Sequence, residues 1–312
     1  MNYLFSPIAI GSLKVCNRIV CSPAVIGAAA PGGFTTEALA ERYLGWSEGG
    51  VGLIVTEPLY VHPVAAAGSA GLYDDLLIPE LARIVQPLAA RDTPLLPLLT
   101  HAPLEWAALQ AQALEPICEQ FVAAAWRARA AGCAGVMVNG ADATLLHQIH
   151  SPLTNRRADE YGGLGRLGLA TAIVETIRRW LGPDFLIGYR LVVDELRPAG
   201  ISLHESRVGA RQLVSAGVDL LDVVVAADPD QLIAYFPGWQ IPLVESIRAV
   251  VDVPLIANGG LGDAELAESI LAEGSADLIG LNDTLDDQPD WPVKAAQTLY
   301  AASTAIEVGG RA

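Results

Sequence analysis

The sequence predicts a single (β/α)8 barrel with a short N-terminal hairpin, and three observations predict it. Short apolar runs rich in Val, Ile and Leu recur eight times, about every 30 to 45 residues. An amphipathic helical pattern follows each run. No Gly-rich dinucleotide turn follows the first run, as an open doubly wound sheet would usually require. Runs apolar on both faces belong to parallel strands covered by helices, and eight such units in 312 residues fit a closed barrel.

The elements follow in order. Leu4–Asn17 alternates around Gly11, which suits a hairpin closing the barrel bottom. Strand Arg18–Pro23 precedes helix Thr36–Ser47, which Gly49-Gly50 stops, and strand Val51–Thr56 precedes helix Ile78–Ala90. Pro94–His101 leads to Pro116–Ala131, ended at Gly132, and Gly135–Asn139 leads to Leu167–Leu181. Phe185–Val193 and Leu220–Val225 precede His204–Ala216 and Ile241–Val250, while Pro254–Asn258 and Asp277–Leu281 precede Ala264–Ala272 and Pro292–Ala302. No linker or low-complexity run interrupts the series, so residues 1–312 read as one domain.

Composition bounds the partners. With 19 basic and 35 acidic residues the chain carries a formal charge of −16, which disfavours nucleic acid and anionic membrane surfaces. No apolar stretch is long enough to span a bilayer, and the first residues lack a secretory pattern. Cys16, Cys21, Cys118 and Cys133 have no zinc or CxxC spacing and read as reduced thiols of a cytoplasmic protein. No metal site is expected. The partner expected is a small molecule, and a homo-oligomer stays open.

In a barrel of this kind, chemistry sits where strands end. The positions to read are therefore Pro23–Ile26, Thr56–Tyr60, Thr100–His101, Asn139–Thr144, Arg190–Glu195, Ala226–Asp230, Asn258–Gly260 and Asn282–Thr284. His101 ends the third strand and is the leading acid–base candidate. Asp142 follows the fourth strand, where partial desolvation would fit a carboxylate for proton transfer. Arg190, in the fifth, suits stabilisation of negative charge on a substrate oxygen, unless a carboxylate such as Asp194 occupies it. Tyr60, Thr100, Asn139 and Thr144 are candidate substrate contacts. His147 and His150 read as surface or packing residues, and Glu57 as structural.

Motifs across the chain carry a resemblance. They include Leu4-Phe5-Ser6-Pro7, Asn17-Arg18-Ile19-Val20, Gly52-Leu53-Ile54-Val55-Thr56-Glu57, the long run Ser151–Gly163, Pro237–Pro242, Ile256–Gly260 and Pro289–Pro292. In these the chain resembles the old yellow enzyme family, FMN-dependent (β/α)8 reductases that take hydride from NAD(P)H and reduce activated alkenes. The resemblance implies cofactor contacts at Pro23, Ala24, Arg190, Asn258, Gly259 and Gly260.

Other positions depart from that pattern. Val25 replaces a Thr or Cys near the flavin, Pro58 removes a backbone N–H, Leu98 replaces a Gln, and Asn282-Asp283 replaces Gly-Arg at the phosphate. On the substrate side Asn139 and Asp142 replace paired donors, and Thr144 replaces a proton-donating tyrosine. Losing a charge-assisted bond costs roughly 1.5–3 kcal/mol, so four such changes lead to the expectation of no bound cofactor. The sequence reading is then a repurposed barrel performing non-redox isomerisation, dehydration or cyclisation in biosynthesis, with His101, Asp142 and Arg190 converging on one pocket. The alternatives are an FMN-dependent ene-reductase or dehydrogenase using NAD(P)H, and a catalytically silent binding barrel.

Overall fold

The computed structural model describes residues 2–64, 67–111, 113–226 and 236–309. It opens with an antiparallel hairpin, β1 (Ile8–Ile10) and β2 (Leu13–Val15), turning at Gly11. The barrel then runs β3 (Ile19–Cys21), α1 (Glu37–Glu48), β4 (Leu53–Tyr60), α2 (Ile78–Ala89), β5 (Leu95–Thr100), α3 (Trp106–Ala111), α4 (Glu115–Ala130) and β6 (Gly135–Gly140). It continues through α5 (Leu145–His150), α6 (Gly168–Leu181), β7 (Leu186–Asp194), α7 (Leu203–Ala216), β8 (Leu220–Val225) and α8 (Ile241–Arg248). Last come β9 (Leu255–Ala257), α9 (Ala264–Ala272), β10 (Leu278–Leu281), α10 (Asp283–Asp287) and α11 (Trp291–Gly309).

Eight parallel strands close in the order β10-β3-β4-β5-β6-β7-β8-β9. Ring closure is the pairing of Ile279 with Ile19 and of Leu281 with Cys21. Helix ends follow local chemistry. Thr36 caps α1 by accepting from the Leu39 N–H, Ser202 and Glu205 form a reciprocal capping box on α7, and left-handed Gly217 ends α7.

Alternation along each strand sorts two apolar layers. Val20, Leu53, Val55, Leu96, Leu98, Met137, Leu186, Leu220, Ile256 and Leu278 fill the barrel, and Ile10 and Val15 of the hairpin plug its base. Their neighbours Ile19, Ile54, Val136, Ile187, Leu221 and Ile279 face the helices in a larger outer core. Most boundaries fall within one or two residues of the sequence expectation, and two differ by more. Strand β4 runs on to Tyr60, with Pro58 inside it at a register shift, and α11 extends beyond Ala302. The irregularity beside Pro58 is the physical reason a strand tolerates a residue without an N–H. The rim loop read as Ala226–Asp230 lies outside the described residues after Ala226.

Candidate active site

Above the apolar filling the strands turn polar. Register places Asn139 beside Arg190, Arg190 beside Asp222, and Asp222 beside Ile256. Asp222 has no exposed surface, and its side chain points inward because Leu221 and Val223 take the outer positions. It pairs with Arg190 Nη1 through Oδ2 and accepts from Asn258 Nδ2 at 2.6 Å through Oδ1. Asn258 Oδ1 in turn accepts from Ser22 Oγ at 2.7 Å. Arg190 Nε donates to Asp142 Oδ2 at 3.2 Å, while Nη2 has no hydrogen-bond partner among the described residues. The two carboxylates hold the Arg190 guanidinium charged against the burial that opposes it.

This chain of contacts walls an inner cavity of about 260 Å³ bounded by Ser22, Pro23, Asp142, Arg190, Gln240, Asn258–Leu261 and Gly280–Thr284. Gly259 and Gly260 line it at φ +108° and +72°, left-handed backbone that brings the main chain to the cavity without a Cβ. Gln240 Oε1 is buried there without a hydrogen-bond partner among the described residues. An outer cavity of about 400 Å³ adjoins it and shares Asp142, Val224 and Val225. Ala141, Ala143, His147, Val192, Glu195, Arg197 and Ala226 complete that second cavity.

Asp142 and Arg190 are thus brought together. His101 lines neither cavity. Its Nδ1 donates to the Ala102 carbonyl at 2.7 Å, and its ring stacks on His62 at 3.9 Å. Burial lowers its pKa to about 4. Thr100, Asn139 and Thr144 spend their side chains internally. Asn139 Nδ2 donates to Thr100 Oγ1 at 3.3 Å and Oδ1 accepts from the Ala141 N–H, while Thr144 Oγ1 donates to the Ala141 carbonyl at 2.7 Å. Tyr60 makes an edge contact with His62 and lines neither cavity. Ala24 is partly buried beside Pro23, and Glu57 accepts from the Ile26 and Gly27 N–H groups, bracing the loop that follows β3.

Sequence reasoning missed Asp222, Gln240 and the His147 network. The signal for Asp222 was present, a carboxylate inside the apolar run Leu220–Val225. His147 and His150, expected as surface or packing groups, are both buried, which agrees with packing and not with surface. His147 Nε2 donates to Glu195 Oε1 at 3.1 Å, and Glu195 Oε2 accepts from Ser151 Oγ at 2.9 Å and the Ile201 N–H at 2.6 Å. His150 Nδ1 is buried with no hydrogen-bond partner among the described residues.

Burial first, then repulsion from His147 and Arg166, lowers the His150 pKa to about 4. An unfolded histidine titrates near ~6.5, so the unfolded chain takes the proton first as pH falls. Stability is therefore complete above ~6.5 and lost as pH drops toward 4, by a few kcal/mol on the order of one pKa unit per ~1.4 kcal/mol. Urea titrations at pH 7.5 and 4.8 should show that loss, and His150→Phe should remove the His150 share of it while leaving that of His101, which burial also lowers to about 4; an unchanged pH slope in the variant would place the titration elsewhere.

The comparisons with known proteins bear on this geometry. The model of the NADH:flavin oxidoreductase / NADH oxidase family matches residues 3–113 and 104–302. The chain belongs to this family. It is the family of the old yellow enzymes, as the sequence resemblance implied. The chain is 33% identical to an NADH oxidase of Thermoanaerobacter brockii over 94% of its own length and 50% of that protein's. A metal reductase of Desulforamulus reducens is 30% identical over 95% of this chain and 49% of its own length. This chain spans about half the length of both. An NADPH dehydrogenase of Listeria innocua is 29% identical over 96% of each chain. Among solved structures, 2-naphthoyl-CoA reductase superposes with a TM-score of 0.88 at 21% identity, covering 95% of this chain and 52% of that one. Morphinone reductase gives 0.78 at 22% identity, over 95% and 90%. At those identities the superpositions speak to the barrel alone.

Two expectations are corrected by these matches. Relatives across the whole chain are named oxidase, reductase and dehydrogenase, which overturns the reading of non-redox isomerase, lyase or cyclase chemistry. A family defined by flavin likewise overturns the expectation that no cofactor is held. The physical error lay in summing single-position losses. Val25 is 80% exposed, and Leu98 is packed in the barrel filling. What the inner cavity offers a flavin is elsewhere: the Arg190 Nη2 donor, the Gln240 Oε1 acceptor and the Gly259-Gly260 cradle. These residues fit the group, with Asp283 and Asp142 the two anionic departures on the cavity wall and Asp142 already paired with Arg190. Among the described residues no helix is long and apolar enough to cross a membrane.

Proposed function

We propose that this chain is an FMN-dependent oxidoreductase that uses NAD(P)H and acts on a small molecule at the barrel mouth. The observation that carries the reading is one glycine-lined cavity walled by Arg190, whose Nη2 has no hydrogen-bond partner among the described residues, and by Gln240, whose buried Oε1 has none among them either, in a chain of the NADH:flavin oxidoreductase family. FMN bound there supplies hydride transfer. Arg190, Gln240 and the Asn258–Gly260 turn would hold it, with Pro23 and Ala24 on the rim. Asp222 and Asn258 keep the Arg190 guanidinium in place, and Val224 and Val225 give the adjoining cavity an apolar side.

The test is reconstitution. Apoprotein titrated with FMN should develop a perturbed flavin absorbance spectrum, and NAD(P)H should bleach it anaerobically. A flavin spectrum identical to that of free FMN at every ratio would defeat the reading. Asp283 sets the strength of binding. It places an anion on a cavity that would take a phosphate, so Asp283→Arg should tighten FMN at least about tenfold by replacing repulsion with a charge-assisted contact. Calorimetric titration of both proteins checks this, and equal affinities would show that the phosphate is held away from residue 283.

A further inference from the structure

We propose that Asp142 selects a small cationic amine as the molecule held in the outer cavity, and that His147 is the residue that positions Asp142. The inference rests on the oxidoreductase reading and names the substrate class of that site. Asp142 stands on the wall shared by the two cavities, with 51% of its side chain exposed. An ionised carboxylate only accepts hydrogen bonds, so a molecule meeting it there must donate. The sequence resemblance implies a donor at this position, one that would hold a carbonyl oxygen; here an acceptor stands in its place.

The guanidinium of Arg190 does not restore an anion site, because Asp142 and fully buried Asp222 already face it. Glu195, the other carboxylate of the outer cavity, is buried and already accepts from His147, Ser151 and the Ile201 N–H. Arg197 also lines this cavity and has a bonding partner of its own. Asp142 is left as the carboxylate with open acceptor positions. Ala141, Val192, Val224 and Val225 supply an apolar surface for the body of the molecule. In the inner cavity, which Asp142 also walls, the unpartnered acceptor Gln240 Oε1 marks a place built to meet a bound group.

The position of Asp142 is imposed. Asp142 and Ala143 both adopt left-handed backbone, at φ 57° and 55°, without a glycine. The Ala143 N–H donates to His147 Nδ1 at 3.1 Å, which leaves the proton on Nε2, where it meets Glu195 at 3.1 Å. Ser151 and Ile201 fix Glu195 in turn. Strained backbone persists where surrounding contacts overdetermine it, and here they turn a carboxylate into the cavity.

Titration calorimetry at pH 7 with benzylammonium, benzyl alcohol and benzoate tests the selection without turnover. The native protein should bind benzylammonium at least tenfold more tightly than benzyl alcohol, and benzoate least. Asp142→Asn, which tolerates the same left-handed backbone, should abolish the preference. His147→Asn keeps an acceptor near Nδ1 and should retain it. His147→Gln keeps a donor near Nε2 but loses the bond to Ala143, and should behave like Asp142→Asn. A native protein that favours benzoate or is indifferent, or a preference that survives Asp142→Asn, overturns the proposal. Equal behaviour of His147→Gln and His147→Asn removes His147 from it. Absence of flavin binding would appear in the absorbance titration instead, so the two readings fail separately.

Discussion

Asp222→Leu should lower unfolding free energy by about 3 kcal/mol, because it leaves the Arg190 cation inside the barrel mouth with only half-exposed Asp142 to face it. Only 12% of the Arg190 side chain is exposed, and Nη1 would lose its counter-ion. Asn258 would lose the acceptor of its 2.6 Å bond at the same time. The partner left behind costs more than the pair is worth, since two buried charges only roughly repay their desolvation. The double variant Asp222→Leu with Arg190→Met should therefore recover most of the lost stability while losing cofactor affinity. Urea denaturation of the four proteins in the cycle reads the coupling directly. Additive single effects would mean that the pair is screened by water and does not act as a unit.

Gly280→Ala should bring the second large effect. A Cβ on this β10 residue would press into Asn258 Oδ1 and Ser22 Oγ, the two atoms of the hydrogen bond that steadies the Asn258–Gly260 turn. Overpacking of this kind costs about 1–3 kcal/mol, and the broken bond about 1 kcal/mol more. Displaced Asn258 would also release Asp222 Oδ1 and the Val223 carbonyl, so the inner cavity should deform along with the strand. FMN affinity is expected to fall about a hundredfold, alongside a lowered melting temperature. Ser22→Gly in the same protein removes one of the two obstructions and should restore part of both. Unchanged FMN binding in Gly280→Ala would place the cofactor away from this wall.

The barrel itself was legible in the residues. Strand Gly135–Asn139 was read within one residue of β6, and Ala264–Ala272 coincides with α9, because apolar periodicity is a local property of the chain. The hairpin around Gly11 was legible for the same reason, and so was the family, whose motifs are linear. The site was only partly so. Residue 190 was expected as an inward-facing group at a strand end; it faces inward beside Asp222, but from the middle of β7. Its expected partner was Asp194 on the same strand, whereas the structure pairs it with Asp222 of the next one.

That choice belongs to register between strands 32 residues apart, which no local pattern encodes. Asn139 and Thr144 show the converse: polar side chains at the right rim, yet spent on nearby backbone, Asn139 on the Ala141 N–H and Thr144 on the Asn139 carbonyl. The cofactor expectation failed on the same ground. Position-by-position comparison registers lost side-chain donors, but a cavity also binds through backbone brought close by glycines and through an orphaned amide such as that of Gln240. What the sequence determined by itself is the set of elements and their order, because burial of alternating apolar faces leaves one way to close them. What only the tertiary structure decided is which polar groups are consumed by one another and which remain unpaired at the mouth, because that depends on contacts across the ring.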